Sequence, residues 1–279
     1  MCRHLAFLGP PTSLADLLLA PEHGLLTQSW APRHQRNGRM NADGFGAGWY
    51  APGHAVPARY RRAVPMWADS SFADVARVTT SRAVLAAVRS ATPGTTPDEA
   101  AAAPYTDGRW LFSHNGRVDG WPRSVETLAA SLPPVRLLGL EARVDSALLW
   151  ALVQERLTAG SSAPEALAAV VQDVSARTTG RFNLLLTDGT TIAATAAGDT
   201  LCWRRDGSGT VVASEPSDDG PGWYCVPDGS VLTATREHVH VGPIASARTG
   251  STPARDGAAR DSAAQDSAAA SRSSSSSVL

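Results

Sequence analysis

Met1-Cys2-Arg3-His4-Leu5-Ala6-Phe7-Leu8-Gly9-Pro10-Pro11 opens the chain, and the reading of this stretch decides the fold. Cys2 to Leu8 is a short apolar run closed by Gly-Pro-Pro, which suits a buried strand. Ser13 then caps a short helix, with Asp16 at the third helical position and Leu14, Leu17 and Leu18 on one face. Working outward, Phe45 to Tyr50, Arg82 to Ser90 and Trp110 to Val118 read as further strands. Helical periodicity governs Ser124 to Leu132, Val144 to Ala159 and Ala163 to Thr178. Strand patterns return at Phe182 to Thr187, Thr191 to Ala196, Thr200 to Arg204, Thr210 to Ser214, Ser230 to Ala234 and Val239 to Val241. Helices flanked by strands on both sides predict an α+β fold, two sheets held between helix layers, and not a doubly wound one.

Composition narrows the function. The chain has 279 residues, 43% hydrophobic and 18% charged, with a net charge of −1. A dispersed, near-zero charge leaves no electrostatic footprint for nucleic acid or an anionic membrane. All 25 basic residues are Arg, so no lysine Schiff base or lysine base is available. No apolar run reaches the roughly 18 residues of a membrane helix. The start lacks a secretory signal. Cys2, Cys202 and Cys225 are too few and too scattered for a disulfide framework, and a reducing cytoplasm fits them. His238 and His240 lie two apart on a strand, but no Cys or carboxylate at suitable spacing completes a metal site. No cofactor is expected: the glycines of Asn41 to Gly48 do not lie between a strand and a helix as dinucleotide binding requires. From Ala245 to Leu279 the chain is Ala, Ser, Arg and Asp with scarcely a large apolar residue, so a domain of residues 2–244 followed by a disordered tail of 245–279 is expected.

Cys2 is the most informative position. Removal of an initiator Met before a small residue leaves a thiol and a free α-amine on one residue. Their ordinary pKa values, about 8.5 and about 7.7–8.0, make the amine a suitable base for the thiol without a separate His. Three later segments bear on this. Ala87-Val88-Arg89-Ser90-Ala91-Thr92-Pro93 carries an Arg off a strand end, where guanidinium grips carboxylate bidentately. In Leu111-Phe112-Ser113-His114-Asn115-Gly116, an Asn amide and a Gly N–H are suited to an oxyanion, although Asn-Gly is equally a hairpin turn. His114 reads as structural. Arg143-Val144-Asp145-Ser146 starts a helix, where Asp145 complements the helix dipole or holds a substrate ammonium.

Taken in order, Met1-Cys2-Arg3-His4, Asn41-Ala42-Asp43-Gly44-Phe45-Gly46, Arg89 to Thr92, His114-Asn115-Gly116 and Val144-Asp145-Ser146 resemble the class II glutamine amidotransferases, N-terminal nucleophile (Ntn) proteins that begin with cysteine. The likeness runs from Cys2 to about Ile244. It implies the four-layer αββα sandwich of the Ntn hydrolase fold. It further implies that Cys2 is nucleophile and base, that Asn115 and Gly116 form the oxyanion hole, that Arg89 binds the α-carboxylate of a γ-glutamyl group, and that Asp145 binds its α-ammonium. Ser90 and Thr92 beside Arg89 join the substrate site. The substrate is then a small γ-glutamyl molecule, and no macromolecular partner is implied; homo-oligomer formation stays open. With only the tail after residue 244, hydrolysis is expected in preference to ammonia transfer. Trp30, Trp67 and Trp223 sit on loop-like segments, where an indole face offers a cation–π wall to a cationic leaving portion; Trp223, near Asp218 and Asp219, is assigned to substrate binding. The rival readings are a glutaminase subunit serving a separate synthetase, a non-catalytic γ-glutamyl-binding protein that keeps Met1, and a thiol redox protein.

Overall fold

The computed structural model describes residues 2–91 and 98–244. Met1, Thr92 and the expected tail of 245–279 lie outside the described residues. In chain order the elements are β1 (Arg3–Ser13), α1 (Leu14–Leu18), α2 (Leu25–Gln28), β2 (Phe45–Trp49), β3 (Ala58–Arg62), α3 (Ser70–Val78), β4 (Thr80–Val88), β5 (Tyr105–Asp107) and β6 (Trp110–Val118). They continue with α4 (Glu126–Ala130), α5 (Pro134–Leu138), α6 (Asp145–Thr158), α7 (Ala163–Ser175), β7 (Gly180–Thr187), β8 (Ile192–Ala196), β9 (Cys202–Asp206), β10 (Gly209–Ala213), β11 (Tyr224–Cys225), β12 (Ser230–Ala234) and β13 (Val239–Pro243).

The strands form a seven-stranded sheet in the order β11-β9-β10-β1-β4-β2-β3 and a six-stranded sheet in the order β13-β12-β8-β7-β6-β5. Three apolar clusters define four layers. Leu5 and Phe7 of β1 and Val84, Ala86 and Val88 of β4 pack against Leu14, Leu18, Leu25 and Phe72 from the first three helices. Ala6 and Leu8 of β1 and Leu85 of β4 face Leu111, Leu185, Ala194 and Leu232 of the other sheet. Phe112, Leu184 and Leu186 on that sheet's far face meet Leu148, Leu152, Leu167 and Val170 of α6 and α7. The αββα order expected from the sequence is therefore present. β1 shows its cause: the strand alternates with period two, but both faces are buried, so it reads as a continuous apolar run.

The structure differs from the sequence reading at several points. β1 does not end at Gly9. Its pairing with β4 breaks after Leu8↔Ala83 and resumes at Thr12↔Ser81, a bulge that accommodates Gly9-Pro10-Pro11, and the partnership with β10 reaches only to Leu8↔Thr210. Proline lacks a ladder N–H and is tolerated where the strand has become an edge. Asn115-Gly116 is not a turn. Both residues lie inside β6, opposite Asn183 and Phe182 of β7. A Cβ on Gly116 would stand 1.8 Å from the Arg181 carbonyl oxygen, so close backbone approach requires glycine here. Among shorter elements α3 was not expected; Asp69 caps it by accepting from the Phe72 N–H.

Candidate active site

The alternation of β1 and β6 places the site. In β6, Leu111 faces the other sheet and Phe112 faces the helices. Two residues further on each face stand Ser113 and His114, and then Asn115 and Gly116. The Ser113 hydroxyl meets His4 Nδ1 of β1 at 3.2 Å, within the inter-sheet layer. His114 points the other way, with Nδ1 2.9 Å from the Ser146 hydroxyl on α6 and Nε2 2.9 Å from the Arg181 carbonyl. Because a carbonyl only accepts, Nε2 carries hydrogen and Nδ1 accepts from Ser146. His114 thus links β7 to the start of α6, and it also lines the same cleft as Cys2.

Asn115 is fully buried. Its amide Nδ2 donates to Ser214 Oγ at 3.3 Å, and the same oxygen accepts the His4 backbone N–H at 3.0 Å. The Ser214 N–H in turn donates to the His4 carbonyl at 2.9 Å. One hydroxyl at the end of β10 therefore ties the strand that begins beside Cys2 to the Asn115 amide. An amide nitrogen has two hydrogens, so one remains beyond the bond to Ser214.

Arg89 is fixed by the segment Asp43-Gly44. Its N–H donates to the Gly44 carbonyl at 2.7 Å, its carbonyl accepts from the Asp43 N–H at 3.0 Å, and Nη1 donates to the Asp43 carbonyl at 3.1 Å. The Asp43 carboxylate accepts the Ala91 N–H at 2.8 Å. Asp145, first residue of α6, accepts the Val118 N–H at 3.0 Å and the Ser146 N–H at 2.7 Å. A carboxylate has about four acceptor positions, so these bonds orient it and leave capacity for a cation.

These elements enclose a cleft lined by Cys2, Arg89, Ser90, Gly116 and Asp145, with Tyr105, Trp121 and Ser146 completing its walls. The Cys2 thiol is 3.9 Å from the Ser90 carbonyl oxygen. Five of the residues singled out in the sequence thus share one cavity, a thiol flanked by one cation and one anion. Asn115, fully buried and hydrogen-bonded to Ser214, is not among the residues that line it. Trp223 does not join them: its ring lies 4.8 Å from the Arg204 guanidinium, and its indole N–H donates to Asp218 at 3.3 Å. Trp30 and Trp67 pack edge-to-face on each other at 5.9 Å. The tryptophan of the cleft is Trp121, which no loop pattern had marked.

Below Cys2 the chain buries charge. Arg3 is fully buried, with Asp199 and Glu215 each 3.9 Å away. Glu215 also accepts the backbone N–H groups of Arg33 at 3.0 Å and His34 at 2.7 Å. His4 is held neutral: burial, with the neighbouring His114 and Arg3, pushes it down to about 3 from the ordinary 6.5. Burial likewise raises the Tyr105 hydroxyl, which stays protonated and donates to the Ala101 carbonyl at 3.2 Å.

The αββα layers and a cleft that holds a thiol, a guanidinium and a carboxylate define the class, and comparison with known proteins places it. The family model "Glutamine amidotransferases class-II" matches residues 24–213. The chain belongs to this family. It is 46% identical over 244 residues to the gamma-glutamyl-hercynylcysteine sulfoxide hydrolase of Mycolicibacterium smegmatis, covering 88% of this chain and 100% of that one. The protein of the same name from Mycobacterium tuberculosis is 42% identical over 240 residues, covering 86% and 95%. Among solved structures, a class-II glutamine aminotransferase domain protein from Silicibacter pomeroyi superposes with a TM-score of 0.64 at 23% identity, covering 88% of this chain and all of that one. The allosteric regulatory enzyme of purine biosynthesis shares the fold at a TM-score of 0.63 and 15% identity, covering 88% of this chain and 49% of that one.

Proposed function

We propose that this chain hydrolyses the γ-glutamyl amide of γ-glutamyl hercynylcysteine sulfoxide, releasing glutamate and hercynylcysteine sulfoxide, a step of ergothioneine biosynthesis. The observation that carries the reading is the 46% identity to a hydrolase of that name over its whole length. The resemblance of Gln28 to Arg33, Leu85 to Thr92, and Ala213 to Pro216 with Asp218 to Trp223 to that hydrolase supports it.

In this mechanism Met1 is removed and the Cys2 α-amine takes the thiol proton. Arg89 clamps the α-carboxylate and Asp145 the α-ammonium, which sets the γ-carbonyl against sulfur. Attack gives a tetrahedral oxyanion that accepts hydrogen bonds from the Asn115 amide and the Gly116 N–H. The Cys2 α-ammonium returns the thiol's proton to the departing amine. Water then cleaves the γ-glutamyl thioester and frees glutamate. The trimethylammonium of the leaving portion needs a π face or an anion; Trp121, on the cleft wall, takes the part first given to Trp223.

The family's own name favours glutamine as a second substrate, and one experiment separates the two. Purified protein is incubated with γ-glutamyl hercynylcysteine sulfoxide and with glutamine in parallel, and glutamate release is followed. A kcat/KM at least about 100-fold higher for the sulfoxide, the discrimination that about 2.7 kcal/mol of leaving-group contacts supplies, is expected. Steady hydrolysis of glutamine with indifference to the sulfoxide would make the chain a glutaminase. Intact mass checks the loss of Met1, without which the α-amine base does not exist.

A further inference from the structure

Two of the three cysteines have no part in the cleft, and the fold brings them face to face. β9 and β11 pair antiparallel with Cys202 directly opposite Cys225, and the two sulfurs lie 3.5 Å apart. Directly opposed residues of an antiparallel ladder have Cα atoms about 4.5–5.5 Å apart, inside the roughly 4.4–6.8 Å that a disulfide spans. Joining the sulfurs therefore asks for side-chain rotation and no movement of the strands. The neighbouring rung holds the register, since Trp203 and Tyr224 stack with ring centroids 4.8 Å apart. The two thiols differ in access: Cys202 is buried and Cys225 is exposed.

We propose that Cys202 and Cys225 are a reversible thiol–disulfide pair, open to small-molecule disulfides, whose oxidation locks the strap of residues 215–225 onto β9. The exposed Cys225 thiolate attacks the small disulfide, forming a mixed disulfide and expelling one thiolate. Cys202 then gives its proton to solvent and attacks the Cys225 sulfur, expelling the second thiolate. Two protein thiols are oxidised, one small disulfide is reduced to two thiols, and the protons balance. Burial, with the hydrogen bond to Cys225, pushes the Cys202 thiol up to about 12, which makes its resolving attack the slow step and quicker at alkaline pH.

The strap gives the pair something to act on. β11 has only two residues. The loop before it reaches β9 and the segments on either side of α2: Asp218 accepts from Arg204 at 2.7 Å, Asp219 from Arg33 at 2.6 Å, and the Ser217 carbonyl from the His23 N–H at 2.9 Å. At its root are Glu215, which faces Arg3, and Ser214, which holds Asn115 and His4. A covalent rung at the far end closes this loop and suppresses its local opening.

The test incubates the full chain with excess oxidised glutathione at neutral and alkaline pH, followed by intact mass, peptide mapping and amide hydrogen exchange. Activity is not the readout, because Cys2 is itself a thiol. The expected product is a peptide cross-link between Cys202 and Cys225, lighter by two hydrogens, forming faster at alkaline pH and reversed by dithiothreitol. Amide exchange in residues 215–225 should slow by at least about tenfold. Cys225→Ser, an exposed change, should abolish the cross-link and leave the exchange pattern unresponsive to oxidant. Glutathione resting on Cys225 with the Cys202 thiol intact, a cross-link that forms only in denaturant, or unchanged exchange in the cross-linked protein would each overturn the proposal.

Discussion

The layer between the two sheets has two ends of opposite character, built by the same strands. At one end, Ala6 and Leu8 of β1 face Leu111 of β6 together with Leu185, Ala194 and Leu232, all within an apolar cluster. Two residues along each strand, on the same face, stand His4 of β1 and Ser113 and Asn115 of β6, joined by Ser214 into a hydrogen-bonded network. β1 passes from polar to apolar as its residue numbers rise and β6 as its numbers fall, so the two polar ends coincide. Burying polar groups is costly unless each finds a partner. The apolar end supplies stability, and the polar end ties the start of β1 to the Asn115 amide through Ser214.

If that division holds, substitutions at the two ends should separate activity from stability. Asn115→Ala at the polar end should lower kcat about 100- to 1000-fold, the roughly 2.7–4 kcal/mol of one oxyanion donor, with KM little changed. Steady-state kinetics decides it, and an unaltered kcat removes Asn115 from the mechanism. Leu185→Ala at the apolar end should do the reverse, costing about 2–5 kcal/mol in urea unfolding while the folded fraction turns over normally. Ser214→Ala sits on the seam. It leaves the His4 N–H and one Asn115 hydrogen without their acceptor, which should cost about 1–3 kcal/mol of stability and also reduce kcat, because the amide loses its anchor. A stability loss with kcat intact would make Ser214 part of the frame alone.

The smallest effect is in pH. Folded protein keeps His4 neutral down to about 3, whereas an unfolded chain protonates it near 6.5. Between these values the unfolded state binds more protons, so this residue's contribution to stability is complete above 6.5 and declines as the pH falls towards 3. Urea midpoints at pH 7 and pH 5 should differ more in the natural protein than in His4→Gln. Equal differences would show that His4 does not set the acid limb.

The strands β4, β6, β8 and β12 were legible because their apolar residues run in short blocks bounded by Gly, Pro and Asp, and α6 and α7 because their periodicity extends over three or more turns. That Cys2, Arg89, Gly116 and Asp145 belong together was readable only from the order of their motifs, each too common to mean anything singly, and the fold brings the four to one cleft. Less could be read where pairing, not propensity, creates the element. β11 exists because Trp203 and Cys202 offer a ladder to two residues, Tyr224 and Cys225, and the cysteines, separated in sequence, meet only through that register. Trp223 looked available to a ligand because it lies in a loop, yet Arg204 and Asp218 already occupy its face and its N–H. Trp121 follows a strand and carries no pattern that distinguishes it from a core residue, but the closure of the sheets puts it on the cleft wall.

The sequence by itself determined the layers and the chemical groups on offer: alternation and helical period are local properties, and a thiol, a guanidinium, an amide and a carboxylate can be named without coordinates. Only the tertiary structure decided which neighbours each group keeps. Sheet register chose Ser214 for Asn115, Asp43 for Arg89 and Cys225 for Cys202, because hydrogen-bond partners are set by contacts between strands far apart in the chain, and no local pattern records them.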